Sequence, residues 1–127
     1  MVAVAATFAW LLLRYRPFRA EVRGGSMAPT LSDGDWVVAL QGLPIARGDV
    51  VIVRRARSTD LEVVKRVTGA PGDDGLSADE WFVEGDDPKR STDSRSFGPV
   101  SRAAIKGRVV LVYWPPHRWQ MIRRARA

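Results

Sequence analysis

Residues 61–73 read LEVVKRVTGAPGD, and the alternation inside this stretch points to a chain built from short strands. Successive side chains of a strand point to opposite faces, so Leu61, Val63, Lys65 and Val67 share one face while Glu62, Val64, Arg66 and Thr68 share the other. The run is stopped by Gly69 and by the turn residues Pro71-Gly72-Asp73. Lys65 therefore stands in an apolar row on a strand that holds it rigidly. Two readings of it are open on this stretch alone. Its ammonium either snorkels past an edge strand into water, or it is buried, where desolvation lowers its pKa and supplies a neutral amine, a general base. A fall from about 10.4 to about 8 would raise the neutral fraction near pH 7.5 from roughly 0.1% to roughly a quarter.

The same punctuation continues on both sides. Trp36 to Leu40, Val50 to Arg54, Leu61 to Val67, Trp81 to Glu84 and Arg108 to Trp114 read as strands. Turns are expected at Asp33-Gly34-Asp35, at Arg47-Gly48-Asp49, from Pro71 to Gly75 and from Gly85 to Pro88. Helical periodicity is absent from Glu21 onward. Val50-Val51-Ile52-Val53 and Val109-Val110-Leu111-Val112 are continuous apolar runs, which implies strands covered on both faces. The expected fold is all-β, a folded antiparallel sheet or small barrel preceded by a short apolar helix. A chain of 127 residues supports one such domain.

Charge separates the ends from the middle. Residues 1–23 carry four Arg and one Glu, residues 117–127 carry four Arg, and residues 24–116 carry twelve Lys plus Arg against thirteen acids. Basic ends around a neutral domain suit an anionic membrane surface better than a nucleic-acid groove. The uncharged run from Val2 to Leu13 would make a helix about 18 Å long against roughly 30 Å of hydrocarbon, so it reads as a truncated anchor. Tyr15, Phe18 and Arg14, Arg16, Arg19 and Arg23 follow as headgroup-layer flanks. The division expected is a membrane-associated segment at 1–21, a folded domain at 22–116 and a basic aromatic tail at 117–127. With no cysteine there is neither a disulfide nor a thiol nucleophile.

The loop Gly24-Gly25-Ser26-Met27-Ala28-Pro29-Thr30-Leu31 is permissive at its glycines and stiff at its proline, so it can present a serine with its amide exposed. A serine needs a base, and His117, the only histidine, lies beside Pro115-Pro116 near the end, where it reads as an interfacial side chain. The remaining candidate base is Lys65.

GGSMAPTL, RGDVVIV, VVKRVTGAPGD, EGDDPKRSTDSRSFGPV and IKGRVVLVYWP stand in the order and approximate spacing of the boxes of the type I signal peptidase family, which residues 22–116 resemble. The short form is similar to the branch holding the mitochondrial inner-membrane proteases and superoxide dismutase maturation proteases. The resemblance implies a serine-lysine dyad endopeptidase with Ser26 as nucleophile, Lys65 as general base and Ser91 orienting the lysine. Asp93 and Arg95 would brace that loop, and the backbone N-H of Ser26 would serve the oxyanion hole. Gly24 stands where many relatives carry a serine donor. Arg66, on the opposite face from Lys65, is expected to serve structure only and to be dispensable for activity. The implied substrates are precursor polypeptides cut after small residues while extended beside an edge strand, with no metal or cofactor and no nucleic acid. Membrane lipids are the other expected partner. The implied location is the cell membrane, with the catalytic domain outward by resemblance, although the arginines after the apolar run favour the cytoplasmic side.

Two other readings compete. A self-cleaving repressor-type protease shares the serine-lysine dyad, but the 23 residues before the glycine loop are too few and too apolar for its regulatory arm. A non-catalytic basic β module would bind membrane or nucleic acid, yet such a module would have no need of both Ser26 and Lys65.

Overall fold

β-Branched residues fill the segments expected to be strands, and each pairs antiparallel with its neighbours. The computed structural model describes residues 2–54 and 62–125. The elements run α1 (Val2–Tyr15), β1 (Pro17–Glu21), β2 (Trp36–Leu40), β3 (Val50–Arg54), β4 (Glu62–Gly69), β5 (Phe82–Glu84), α2 (Ser94–Phe97), β6 (Ile105–Trp114) and β7 (Gln120–Met121). They form one seven-stranded sheet in the order β1-β2-β6-β3-β4-β5, with β7 on β6. The chain is all-β with a short N-terminal helix, as its punctuation implies. Leu61, the expected start of the fourth strand, lies outside the described residues.

β3 is covered on both faces, as its unbroken apolar run requires. Val50 and Ile52 belong to one buried cluster with Met27, Leu31, Val37 and Ala39, while Val51 and Val53 belong to a second with Val67, Val83 and Ile105. β6 departs from that expectation, because Val110 and Leu111 are only half-buried and belong to neither cluster. Val37 pairs with Val112, Val38 with Leu111 and Ala39 with Val109, so the register shift between Val38 and Ala39 passes over Val110. That extra residue changes the parity of β6 and puts Val109 and Val112 into one cluster although they are three apart.

Two strands lie where none was expected. β1 falls inside the segment read as membrane-associated, where Phe18 and Ala20 pack on the first cluster between exposed Pro17, Arg19 and Glu21. Its register runs from Pro17 opposite Leu40 to Glu21 opposite Trp36. Only α1 stands clear of the domain core, with no buried residue. Its 14 residues extend about 21 Å, and among the described residues no helix is long and apolar enough to cross a membrane.

The C-terminal segment, read as a tail lying on a membrane, is built into the sheet. Gln120 and Met121 pair with Val112 and Leu111, the part of β6 that extends beyond β3, and so cover an open edge. Ile122 packs on the first cluster. Two of the tail arginines neutralise buried carboxylates: Arg118 Nε lies 2.7 Å from Asp35 Oδ1 and Arg124 Nε lies 2.8 Å from Asp49 Oδ1. Asp35 and Asp49 are 1% and 2% exposed, so without these partners Asp35 would be an unpaired buried charge and Asp49 would keep only Arg108, at 3.8 Å.

A chain cut after Pro116 is therefore expected to fold poorly. Removing one partner of a fully buried pair costs about 3–5 kcal/mol, and the arginines here are partly exposed, so the lower figure applies. A loss of about 3 kcal/mol lowers the melting temperature by roughly 10 °C in a domain of this size, which calorimetry of the full and shortened chains measures. Equal melting temperatures would show that the tail only rests on the sheet.

Candidate active site

β4 places Lys65 opposite Val51 of the central strand, in the row that also holds Val63 and Val67. The side chain is 3% exposed, so it is buried rather than snorkelling past an edge. Its Nζ donates to Ser91 Oγ at 3.0 Å. Ser91 follows a 3-10 turn at Pro88–Arg90 that Asp87 caps by accepting the Lys89 N-H at 3.2 Å. The Ser91 hydroxyl donates to Asp93 Oδ2 at 2.6 Å and accepts the Gly85 N-H at 3.1 Å. A serine hydroxyl has one proton, and giving it to Asp93 leaves only acceptor capacity for Lys65. One N-H of the lysine is thus tied down, which fixes the rotation of the amine.

Asp93 is buried and caps α2. Burial pushes its carboxyl pKa up, but hydrogen bonds from Arg95, Ser91 and the Gly85 and Arg95 amides outweigh that and hold it far below the usual carboxylate range. Arg95 makes the strongest of these, through Nη2 at 2.6 Å and Nε at 2.9 Å. The expected pairing of Asp93 with Arg95 is present, and the carboxylate reaches Lys65 through the Ser91 hydroxyl.

Ser26 sits in a loop whose neck is closed by Val22 N-H to Asp35 O at 2.7 Å and Gly34 N-H to Val22 O at 2.8 Å. Met27 and Leu31, 1% and 0% exposed, anchor the loop in the core on either side of the turn. Gly24 has φ +80°, and its N-H donates to Asp33 Oδ1 at 2.7 Å. A side chain at Gly24 would meet open space but would carry the strain of a left-handed backbone.

The sequence missed what joins these parts. Arg66 was expected to serve structure only, and its contacts are structural: its Nε and Nη2 each lie 2.8 Å from the two oxygens of Asp86, its Nη1 donates to Gly48 O at 2.7 Å, and Asp86 Oδ2 also accepts the Thr30 hydroxyl at 2.6 Å. Burial raises the pKa of Asp86, but Arg66 and Thr30 more than offset it and keep the carboxylate ionised. Arg66 is thus a clamp between β4 and the Ser26 loop, and its loss would leave a half-buried carboxylate unpaired. Gly85 is the second joint. The Ser26 carbonyl accepts the Asp87 N-H at 2.8 Å, and a Cβ on Gly85 would lie 2.5 Å from that carbonyl and 2.6 Å from Ser91 Cβ. The one signal in the sequence was the Gly85-Asp86-Asp87 turn, which does not reveal what it touches.

Ser26 and Lys65 line one groove of about 760 Å³ whose walls include Ala20, Val22, Val63 and Val64. A separate cavity of about 350 Å³, between Asp49, Arg108 and Arg124, shares no residue with it. His117 is exposed in the turn Pro116–Arg118 and does not line the groove. Among the described residues no group of His, Cys, Asp or Glu is arranged to hold a metal ion. The arrangement combines a buried amine, a hydroxyl that orients it and a second serine in the same groove, which is the equipment of acyl transfer.

Residues 1–75 and 74–114 match the family described as signal peptidase, peptidase S26. The mitochondrial ATP-independent inner membrane protease subunit 1a of Arabidopsis thaliana is 35% identical over 146 aligned residues, spanning 96% of this chain and 87% of that protein. Mitochondrial inner membrane protease subunit 2 of Danio rerio is 34% identical over 129, spanning 81% and 67%. The subunit 2 of Saccharomyces cerevisiae is 31% identical over 123, spanning 79% and 70%.

Two outcomes are expected from the geometry. Gly85→Ala pushes the Ser26 and Ser91 segments apart, and a displacement of about 1 Å costs on the order of 10²-fold in rate, so peptide-bond cleavage should fall by about that much. An unchanged rate would mean that the two segments move together. For Asp93, a folded pKa below the unfolded value gives stability that is complete above about pH 5 and is lost as pH falls. Asp93→Asn should therefore melt below wild type at neutral pH, and the gap should narrow steadily as pH falls below about 5.

Proposed function

Because the chain belongs to the signal peptidase family, peptidase S26, and is a serine-type peptidase, we propose that it removes leader or pro-segments from precursor polypeptides with a Ser26-Lys65 dyad. The observation that carries this reading is the burial of Lys65 beside Ser91 in the groove that also holds Ser26. Burial strips the water that would stabilise an ammonium, and Ser91 meets the amine with an acceptor rather than a formal charge.

In this mechanism neutral Lys65 Nζ takes the proton of Ser26 Oγ as that oxygen attacks the scissile carbonyl carbon. The backbone N-H of Ser26 stabilises the oxyanion. Collapse of the tetrahedral species breaks the C-N bond, and Lys65 returns the proton to the leaving amine. The resulting ester on Ser26 is hydrolysed by water, with Lys65 again accepting a proton. Ser91 and the ionised Asp93 behind it keep the amine turned towards Ser26, and Arg95 holds Asp93 in place.

β1 is an edge strand of the sheet, and its residues from Phe18 to Glu21 line the groove, so an extended substrate is read as lying along it. Ala20 and Val63 leave room for small side chains before the cut. α1 exposes Val4, Phe8, Trp10 and Leu13, with Arg14 at its end and Arg16 just beyond, which suits contact with an anionic membrane surface. The relatives named as inner membrane proteases support a membrane setting, and the cell membrane is the setting proposed.

Precursor proteins incubated with the purified protein and with its Ser26→Ala form, followed by mass spectrometry, test the activity directly. New termini made only by wild type support the dyad, whereas identical spectra favour a non-catalytic binding module. Lys65→Arg should be as inactive as Lys65→Ala, since a guanidinium keeps its proton at any usable pH. Appreciable turnover by a folded Lys65→Arg protein overturns the role of the lysine.

A further inference from the structure

The loop that carries Ser26 is held from below by a segment that arrives from the far end of the chain. Asp35, 1% exposed, closes the neck of that loop and its Oδ2 accepts the Ser32 N-H at 2.9 Å. Arg118 Nε donates to the other oxygen, Oδ1, at 2.7 Å. Two residues on, Gln120 Nε2 donates to the Thr30 carbonyl at 3.4 Å, and Thr30 is the residue whose hydroxyl binds Asp86. Farther along, the Ala125 N-H donates to Gly48 O at 3.0 Å, the same oxygen that receives Arg66 Nη1. Residues 118–125 therefore touch the Ser26 loop at Asp35 and Thr30, and touch at Gly48 the clamp that joins this loop to β4.

We propose that Arg118 is a positioning residue for the nucleophile: by neutralising Asp35 it fixes the neck of the loop and so sets where Ser26 stands relative to Lys65. The proposal rests on the dyad reading above. Without the guanidinium, Asp35 is a buried charge that must either draw in water or take up a proton, and both weaken its hold on Ser32. Ser32 follows Leu31, whose N-H closes the turn on Met27 O at 3.0 Å, directly beyond Ser26. A loosened neck thus acts on the position of the serine. Among the described residues none from 118 to 125 lines the groove, so the segment acts on the site through the loop.

The test compares full-length wild type, Arg118→Gln and Arg118→Lys on one precursor, with amide hydrogen exchange on the same proteins. Arg118→Gln should lower kcat by about 10- to 100-fold with KM within about threefold, and leave the acid limb of the pH-rate profile unmoved. Its Leu31 and Ser32 amides should exchange faster while those of β3 stay protected. Arg118→Lys keeps a positive charge beside Asp35, so it folds even if the glutamine form does not, and its kcat should fall between the two. Wild-type kcat in either folded variant, or protection lost from β3 as much as from the loop, overturns the proposal in favour of a general stabilising role. A wild-type protein that leaves every precursor intact, with the loop still loosened in the variants, instead overturns the dyad reading and reduces Arg118 to a brace without catalytic consequence.

Discussion

Burying a lysine is the constraint to which the rest of the structure responds. Lys65 is held in an apolar row of the sheet, where an ammonium without water is costly, and it donates to the hydroxyl of Ser91. The nearest anion in this network, Asp93, is kept one hydroxyl away and is itself saturated by Arg95 and two backbone amides. The Ser91 hydroxyl is thus the link between the amine and the carboxylate, giving its own proton to Asp93 and accepting one from Lys65.

Around this centre the segments at 22–35, 62–69 and 85–95 are joined by short polar bridges rather than by apolar packing alone. Asp86 binds Arg66 of β4 and Thr30 of the serine loop, and Gly85 leaves the space through which the Ser26 and Ser91 segments meet. Such bridges have direction, which apolar contact lacks, and catalytic geometry depends on direction. The two clusters on either side of β3 provide the rigid frame on which the bridges act.

Period-two alternation and Gly-Asp turns made the strands legible, because β2, β3, β4 and β6 are dense in β-branched residues. Lys65 was legible for the same reason, as the one charged residue in its row. β1 was hidden because arginines at 16 and 19 and the preceding apolar helix resemble a membrane flank, and only pairing with β2 makes Phe18 and Ala20 part of the core. β7 was hidden by brevity, since two residues cannot show a period. The structural role of Arg66 was legible but its partner was not, since Asp86 is 20 residues away in sequence and only the folded sheet brings the two together. Charge counting could not show either that two tail arginines are spent on Asp35 and Asp49.

The anchoring of buried Asp35 and Asp49 by Arg118 and Arg124 also has a meaning for biosynthesis. A ribosome releases Ser26 first, Lys65 and Ser91 next, and the two arginines last. Until residues 118–124 clear the exit tunnel, Asp35 lacks Arg118, Asp49 has only the more distant Arg108 at 3.8 Å, and the end of β6 is uncovered. The Ser26 loop is thus synthesised long before the residues that brace its neck, and the sheet closes around it only when they arrive.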